Sequence, residues 1–159
     1  MVRVAVADGV RFGVVLSGVV VLLALVGTAP AFASVPETPL LALGAVAPVI
    51  ACGLTGIRSI RRAGNLTAGL IAGALVGMMA GAVAGLSLLA FNQLFFDTVS
   101  KQPDKILNYQ ASGLPSMREH LLLNGLINIA TGLALGSTGG AVLGGVGALV
   151  GKLFFCRLS

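Results

Sequence analysis

Uncharged apolar stretches alternate with short charged segments along the chain. Four stretches contain no Asp, Glu, Lys or Arg, over residues 12–36, 38–57, 63–96 and 121–151. A helix needs about 20 mostly apolar residues to cross a bilayer, and in hydrocarbon such a stretch satisfies its backbone hydrogen bonds as a helix. We predict an all-α fold, a single polytopic membrane domain. Its four transmembrane helices are expected over residues 12–34, 38–57, 65–96 and 121–155, with a polar external loop over 97–120.

Composition favours the same environment. Of the 159 residues, 57% are hydrophobic and 9% are charged. A soluble domain carries about 25% charged residues, so this chain has too few charges to cover a water-facing surface. We therefore expect the lipid bilayer to surround this chain as its main partner.

The charges predict the orientation in the membrane. One set of span ends carries Arg3, Arg11, Arg58, Arg61, Arg62, Lys152 and Arg157. The other set carries Lys101, Lys105 and Arg118, balanced by Asp97, Asp104 and Glu119. By the positive-inside rule, both termini are cytoplasmic if the first span is retained. The net charge of +5 forms no basic stripe with interleaved aromatics, so we expect no nucleic-acid partner.

The first span has two interpretations. It ends in Ala31-Phe32-Ala33, a small-x-small pattern typical of signal-peptide cleavage. Cleavage there would remove residues 1–33 and leave three spans. Asp8 dilutes the basic segment that a signal peptide needs, so we favour a retained signal-anchor.

Glycine recurs every fourth residue in the last two spans, which predicts glycine-zipper packing. The third span carries Gly69, Gly73, Gly77, Gly81 and Gly85, and the fourth carries Gly132, Gly136, Gly140 and Gly144. Membrane helices associate through small residues that allow close backbone approach. We expect both series to form helix-packing faces.

The two glycine series also suggest an internal repeat. Asn65 and Asn128 precede them at the same offset, and the two spans would cross the bilayer in opposite directions. Some transporters have this arrangement through inverted duplication. Shared glycine-rich composition explains the similarity equally simply, and we favour that explanation.

Pro48 lies within the second span, where its ring opposes the carbonyl of Gly44. Proline inside a helix removes a hydrogen bond and bends the axis. We predict a kink here. It would be a hinge in a transporter and a packing feature in a structural subunit, and the latter is commoner.

Polar side chains enter the predicted spans near their outer ends. Asn92 and Gln93 lie at the end of the third span, and Asn124 and Asn128 near the start of the fourth. At similar depth they would form a polar clasp of interhelical hydrogen bonds, each contributing about 0.6 to 2 kcal/mol. Alternatively they line a polar vestibule.

A capping box begins the last helix. Ser116 and Glu119 are spaced three apart, which predicts a helix start near Met117. At 1.5 Å per residue a helix over 117–155 would be about 58 Å long. Because a bilayer core is about 30 Å thick, this helix must project, tilt or bend, with bending expected at the paired glycines of 139–140 and 144–145.

No sequence motif indicates catalysis, a cofactor or a metal. The single histidine, His120, stands alone, and Cys52 and Cys156 have no metal-binding spacing. The four uncharged stretches, 12–36, 38–57, 63–96 and 121–151, contain no ionisable carboxylate or amine that would mark an ion path. We expect a protein that is not an enzyme.

Two families share superficial features with this chain. Lys101-Gln102-Pro103 resembles the polar turn of the four-helix proteolipid subunits of rotary ATPases. The matching stretch 121–131 lacks their mid-helix carboxylate and offers Asn124 and Asn128, which excludes proton carriage. Cys52-Gly53-Leu54, the following Arg58 and the glycine series resemble the four-span protein-import family of mitochondrial inner membranes. That family's longer arginine and aspartate motif is not matched.

Two functions of different classes remain. The first is a non-catalytic structural or assembly subunit that packs against a membrane-protein partner or itself through its glycine faces. The alternative is a small transporter or channel component built on the inverted-repeat-like helix pair.

Overall fold

The computed structural model describes residues 2–28 and 37–156 as helices and short turns, with no strand among them. The helices are α1 (Val2–Thr28), α2 (Glu37–Ala63), α3 (Leu66–Leu94), α4 (Phe96–Val99), α5 (Pro103–Ser112) and α6 (Met117–Cys156). The predicted all-α class is confirmed. The proposed cleavage motif at 31–33 lies outside the described residues.

The helix boundaries correct two predictions. α1 begins at Val2, ten residues before the predicted span, so its first three turns carry charged residues on a helix. Segment 97–120, predicted as a loop, contains α5 and most of α4. α6 begins at Met117 as the capping box predicted, and it continues without interruption through both glycine pairs.

Among the helices that the structure describes, two are long and apolar enough to cross a membrane by length and composition. They are α3, over 29 residues, and the first 38 residues of α6. These match the third and fourth predicted spans, which are the two that carry the glycine series.

α3 and α2 occupy the centre of the helix packing. α3 contacts α1, α2 and α6, and α2 contacts α1, α3 and α6. α3 and α6 share the most extensive contact and run antiparallel, because Gly69 faces Gly144 while Gly81 faces Gly132.

Two glycines with positive φ make the sharp turns. Gly64 (φ 66°) ends α2, and Asn65 then caps α3 by accepting a hydrogen bond from the Thr67 backbone N–H at 3.0 Å. Gly113 (φ 67°) ends α5. Glycine adopts this left-handed conformation without steric cost, so each turn needs few residues.

The start of α6 is capped by a side chain. The Glu119 backbone N–H donates to the Ser116 hydroxyl oxygen at 3.2 Å. This is one half of the predicted capping box, and it satisfies a backbone donor that no helical carbonyl reaches.

The interior is rich in small residues, and most large apolar side chains point outward, although Leu16, Val76 and Leu121 are buried. Ala72 and Thr55 are fully buried, whereas Leu94, Leu135 and Leu153 expose 79%, 68% and 70% of their surface. This is the reverse of a water-soluble domain, which buries its leucines and valines.

Candidate functional site

The two glycine series meet face to face between α3 and α6. The facing pairs are Gly69 with Gly144, Gly73 with Gly140, Gly77 with Gly136, and Gly81 with Gly132. A Cβ atom on Gly77 would overlap the carbonyl oxygen of Gly136, and one on Gly136 would overlap that of Gly77. Only glycine permits this backbone separation.

Gly85 lies in the same contact but faces a different residue. A Cβ at Gly85 would meet the backbone of Ile129, 2.7 Å from its Cα. Nearer the start of α6, a Cβ at Gly125 would overlap the Leu89 side chain. The backbones therefore approach most closely across the four glycine pairs.

Three helices converge at Gly144. A Cβ at Gly56 of α2 would overlap the Gly144 carbonyl oxygen, and Gly69 and Gly73 approach Gly144 from α3. Further along α6, a Cβ at Gly147 would overlap the carbonyl oxygen of Gly53. Sequence analysis missed the α2 glycines and Gly147, because their spacing of three interrupts the four-residue pattern.

A buried ion-pair cluster joins α1 to the end of α2. Asp8 exposes 1% of its side chain, and its Oδ1 accepts a hydrogen bond from Arg62 Nη1 at 2.9 Å. Arg58 Nε lies 3.5 Å from the same oxygen. Arg58 and Arg62 are four residues apart, which places both on one face of α2.

The cluster is asymmetric in its exposure to solvent. Asp8 is buried, and its Oδ2 has no hydrogen-bond partner. Arg58 and Arg62 each expose 46% of their side chains. Arg58 also lies over the Phe12 ring at 5.9 Å, within the range of a cation–π contact. The carboxylate thus depends on the arginines, while the arginines also reach water.

From the sequence, Asp8 was interpreted only as a dilution of basic charge, and Arg58 and Arg62 were placed at the end of a span without a partner. In the structure all of these residues are helical. The available signal was helical periodicity, since Ala5, Asp8 and Leu16 are all buried on one face of α1. A carboxylate on a buried face requires a cationic partner.

The predicted polar clasp residues lie on α3 and α6 as expected, with different burial. Asn92 is buried at 7% exposure, while Gln93, Asn124 and Asn128 are partly buried. No hydrogen bond joins these four side chains, and the Gln93 Nε2 has no partner. The clasp stays a prediction.

The two asparagines of the suggested repeat differ in structural role. Asn65 caps the start of α3, whereas Asn128 lies inside α6. Their equal offset from the glycines therefore reflects no shared structure.

The Pro48 region borders a cavity. α2 is continuous through Gly44 and Pro48, and the predicted kink stays a prediction. A cavity of about 470 Å³ lies between Pro48, Cys52 and the glycines of α3 and α6, with Leu135 and Leu143 also lining it. Its lining contains no charged residue.

The polar segment before α6 packs through its aromatic rings. Tyr109 and His120 make an edge contact with centroids 6.1 Å apart, and Arg118 lies over the Phe96 ring at 5.5 Å. His120 is thus engaged with α5. Within the described part of the chain, no three His, Cys, Asp or Glu side chains gather as metal ligands would.

Comparison with protein-family models, with curated proteins and with solved structures finds no match to this chain. The function is therefore inferred from the side chains and contacts described above.

Proposed function

We propose that this chain is a non-catalytic multi-pass membrane protein that serves as a structural or assembly subunit. The observation that carries the proposal is the outward placement of most large apolar side chains around an interior rich in glycine and alanine. Lipid removes the cost of exposing leucine and valine, and it leaves small-residue contact as the main source of helix association.

In this proposal α1, α2, α3 and α6 all cross the bilayer. α1 and α2 each contain 27 residues, about 40 Å of helix, which exceeds the roughly 30 Å hydrocarbon core. Gly9 and Gly13 of α1 lie against Leu75 and Met79 of α3, so α1 and α3 run parallel. The directions thus alternate along the chain, as four successive crossings require.

The Asp8 cluster then marks the cytoplasmic surface. The positive-inside rule assigns the ends bearing Arg58 and Arg62 to the cytoplasm, and α1 begins at the same end. Both termini would be cytoplasmic if the first span is retained.

The α3–α6 contact would be a glycine zipper that holds the bundle together. Close backbone approach allows dispersion contacts and Cα–H···O contacts along the whole interface. In the cavity beside Pro48, small residues of the same two helices remain accessible. A span of a partner protein, or of a second copy, would pack there.

Gly139 offers a specific test of this partner face. It lines the cavity, and a Cβ placed on it meets nothing within 4 Å. Gly139→Leu should therefore fold but fill the cavity. Gly18 of α1 is equally open and does not line the cavity, so Gly18→Leu is the matched control.

The experiment has two stages. Cell lysis without detergent should leave the protein in the membrane pellet, and release into the soluble fraction would refute membrane integration. Purification in mild detergent should then yield an oligomer or a complex that Gly139→Leu disrupts and Gly18→Leu preserves. A strictly monomeric particle without a partner would refute the subunit role.

A transporter component is the second candidate, because the cavity beside Pro48 could hold a small apolar solute. Reconstituted liposomes would show solute flux that Gly139→Leu blocks and Gly18→Leu preserves. Absence of flux across a panel of apolar solutes would eliminate this candidate.

A further inference from the structure

We propose that the surface where α1 meets the end of α2 binds an anionic phospholipid, with Arg58 and Arg61 holding its phosphate group. The proposal rests on the membrane placement argued above. A cavity of about 390 Å³ is present there, lined by Phe12, Leu54, Ile57, Arg58 and Arg61. Its lining thus combines two guanidinium groups with three large apolar side chains, which is the chemistry of a lipid headgroup region.

The charge of the cluster favours an anion. Two arginines of the last two turns of α2, Arg58 and Arg62, contact a single carboxylate, Asp8. The other acidic residues are at 37, 97, 104 and 119, at the opposite ends of the long helices or between them. Asp8 therefore leaves excess positive charge at this site.

Arg58 is held in place for such a role. Its Nε is 3.5 Å from Asp8 Oδ1, and its guanidinium carbon lies 5.9 Å from the Phe12 ring centroid. Nearly half of its side chain stays exposed. A guanidinium is planar and binds phosphate oxygens through two parallel N–H donors, so a fixed orientation lowers the entropy lost on binding.

The apolar track beside the arginines distinguishes a lipid from a free phosphate ion. Leu54, Ile50 and Val46 follow one another at intervals of four along α2 and are 52%, 55% and 51% exposed. Residues four apart share one helix face, so this track leads from Arg58 toward the middle of the membrane. An acyl chain would lie along it, whereas inorganic phosphate would leave it uncovered.

Binding by the purified full-length protein tests the site. Native mass spectrometry in detergent would compare phosphatidylglycerol, phosphatidylcholine and inorganic phosphate as probes. We expect preferential retention of phosphatidylglycerol, and Arg58→Gln/Arg61→Gln should weaken it about tenfold or more, since hydrogen bonds to charged groups are lost. Arg118→Gln is the matched control, because Arg118 also lies over a phenylalanine ring.

Each outcome decides a separate point. Equal retention of the two lipids, or unchanged binding by the double variant, would overturn the proposal. If inorganic phosphate binds as strongly as phosphatidylglycerol, the site is a free-anion site instead.

Crosslinking of the wild-type protein avoids any folding defect of the variants. Phosphatidylglycerol with a photoreactive acyl chain should label peptides containing Val46, Ile50 or Leu54, and labelling confined to other helices would overturn the proposal. A protein that stays in the membrane pellet yet shows no lipid preference refutes this site alone. A protein released without detergent refutes the proposed membrane placement.

Discussion

In the Asp8 cluster, removing the arginines should destabilise the protein more than removing the carboxylate. Asp8 is 1% exposed and depends on Arg62 at 2.9 Å and Arg58 at 3.5 Å. Removing both cations leaves a buried carboxylate unpaired, which costs about 3–5 kcal/mol. Removing the carboxylate leaves two half-exposed guanidiniums that water can solvate, so Asp8→Asn should cost about 1.5–3 kcal/mol, as for one lost charged hydrogen bond.

The double variant Arg58→Gln/Arg62→Gln should therefore destabilise the protein most and Asp8→Asn least. Arg62→Gln should lie between them, because Arg58 still pairs with Asp8. The triple variant with Asp8→Asn should recover most of the loss caused by the double arginine change, since no charge then remains buried without a partner.

Exposure of Cys52 provides the assay. This thiol is 1% exposed between α2 and α3, 3.9 Å from the Gly73 carbonyl oxygen, so a bulky maleimide dye should react with it far faster once the protein unfolds. In a Cys156→Ser background, Cys52 is the sole thiol of the chain. Labelling across a denaturing-detergent titration gives the free energy of unfolding. Lys101 is exposed, so Lys101→Gln is the control variant and should change the free energy of unfolding little.

Two results would refute this reasoning. If Asp8→Asn destabilises the protein as much as the double arginine variant, burial does not decide the asymmetry. If the triple variant fails to recover stability, the double variant acts through something other than the unpaired carboxylate.

Three further predictions use the same assay. Gly77→Ala should lower the free energy of unfolding by about 1–3 kcal/mol through overpacking, because its Cβ would overlap the facing α6 carbonyl. The control Gly139→Ala should be neutral, because its Cβ meets open space. Equal effects of the two variants would contradict the close contact. Asn124→Leu/Asn128→Leu should change the free energy of unfolding little, as neither side chain has a hydrogen bond; a clear drop would support the predicted clasp. Gly64→Val should destabilise the α2–α3 turn because φ is positive there, whereas Gly64→Asn should be better tolerated.

Prediction from sequence succeeded where a local rule sufficed. The start of α6 follows from Ser116 and Glu119, because a capping box is a contact within one turn. The apolar helices follow from periodicity and length. Residues 2–11 were excluded from the first span because they carry charge, yet they form helix, and Asp8 on this helix is paired with Arg62 of α2.

The candidate sites divide in the same way. The positions of both glycine series were readable from spacing alone, since residues four apart share a helix face. Their partners were not readable. That Gly144 meets both α2 and α3, and that Gly147 faces Gly53, depends on the relative rotation and depth of separate helices.

The sequence by itself determined the all-helical class, the positions of two helices long and apolar enough to cross a membrane, and the small-residue faces, because these depend on hydrophobicity and on contacts within a few residues. Only the tertiary structure decided that Asp8 is buried against Arg58 and Arg62. Asp8 and Arg62 are 54 positions apart, and which charges meet over such a separation depends on how whole helices pack.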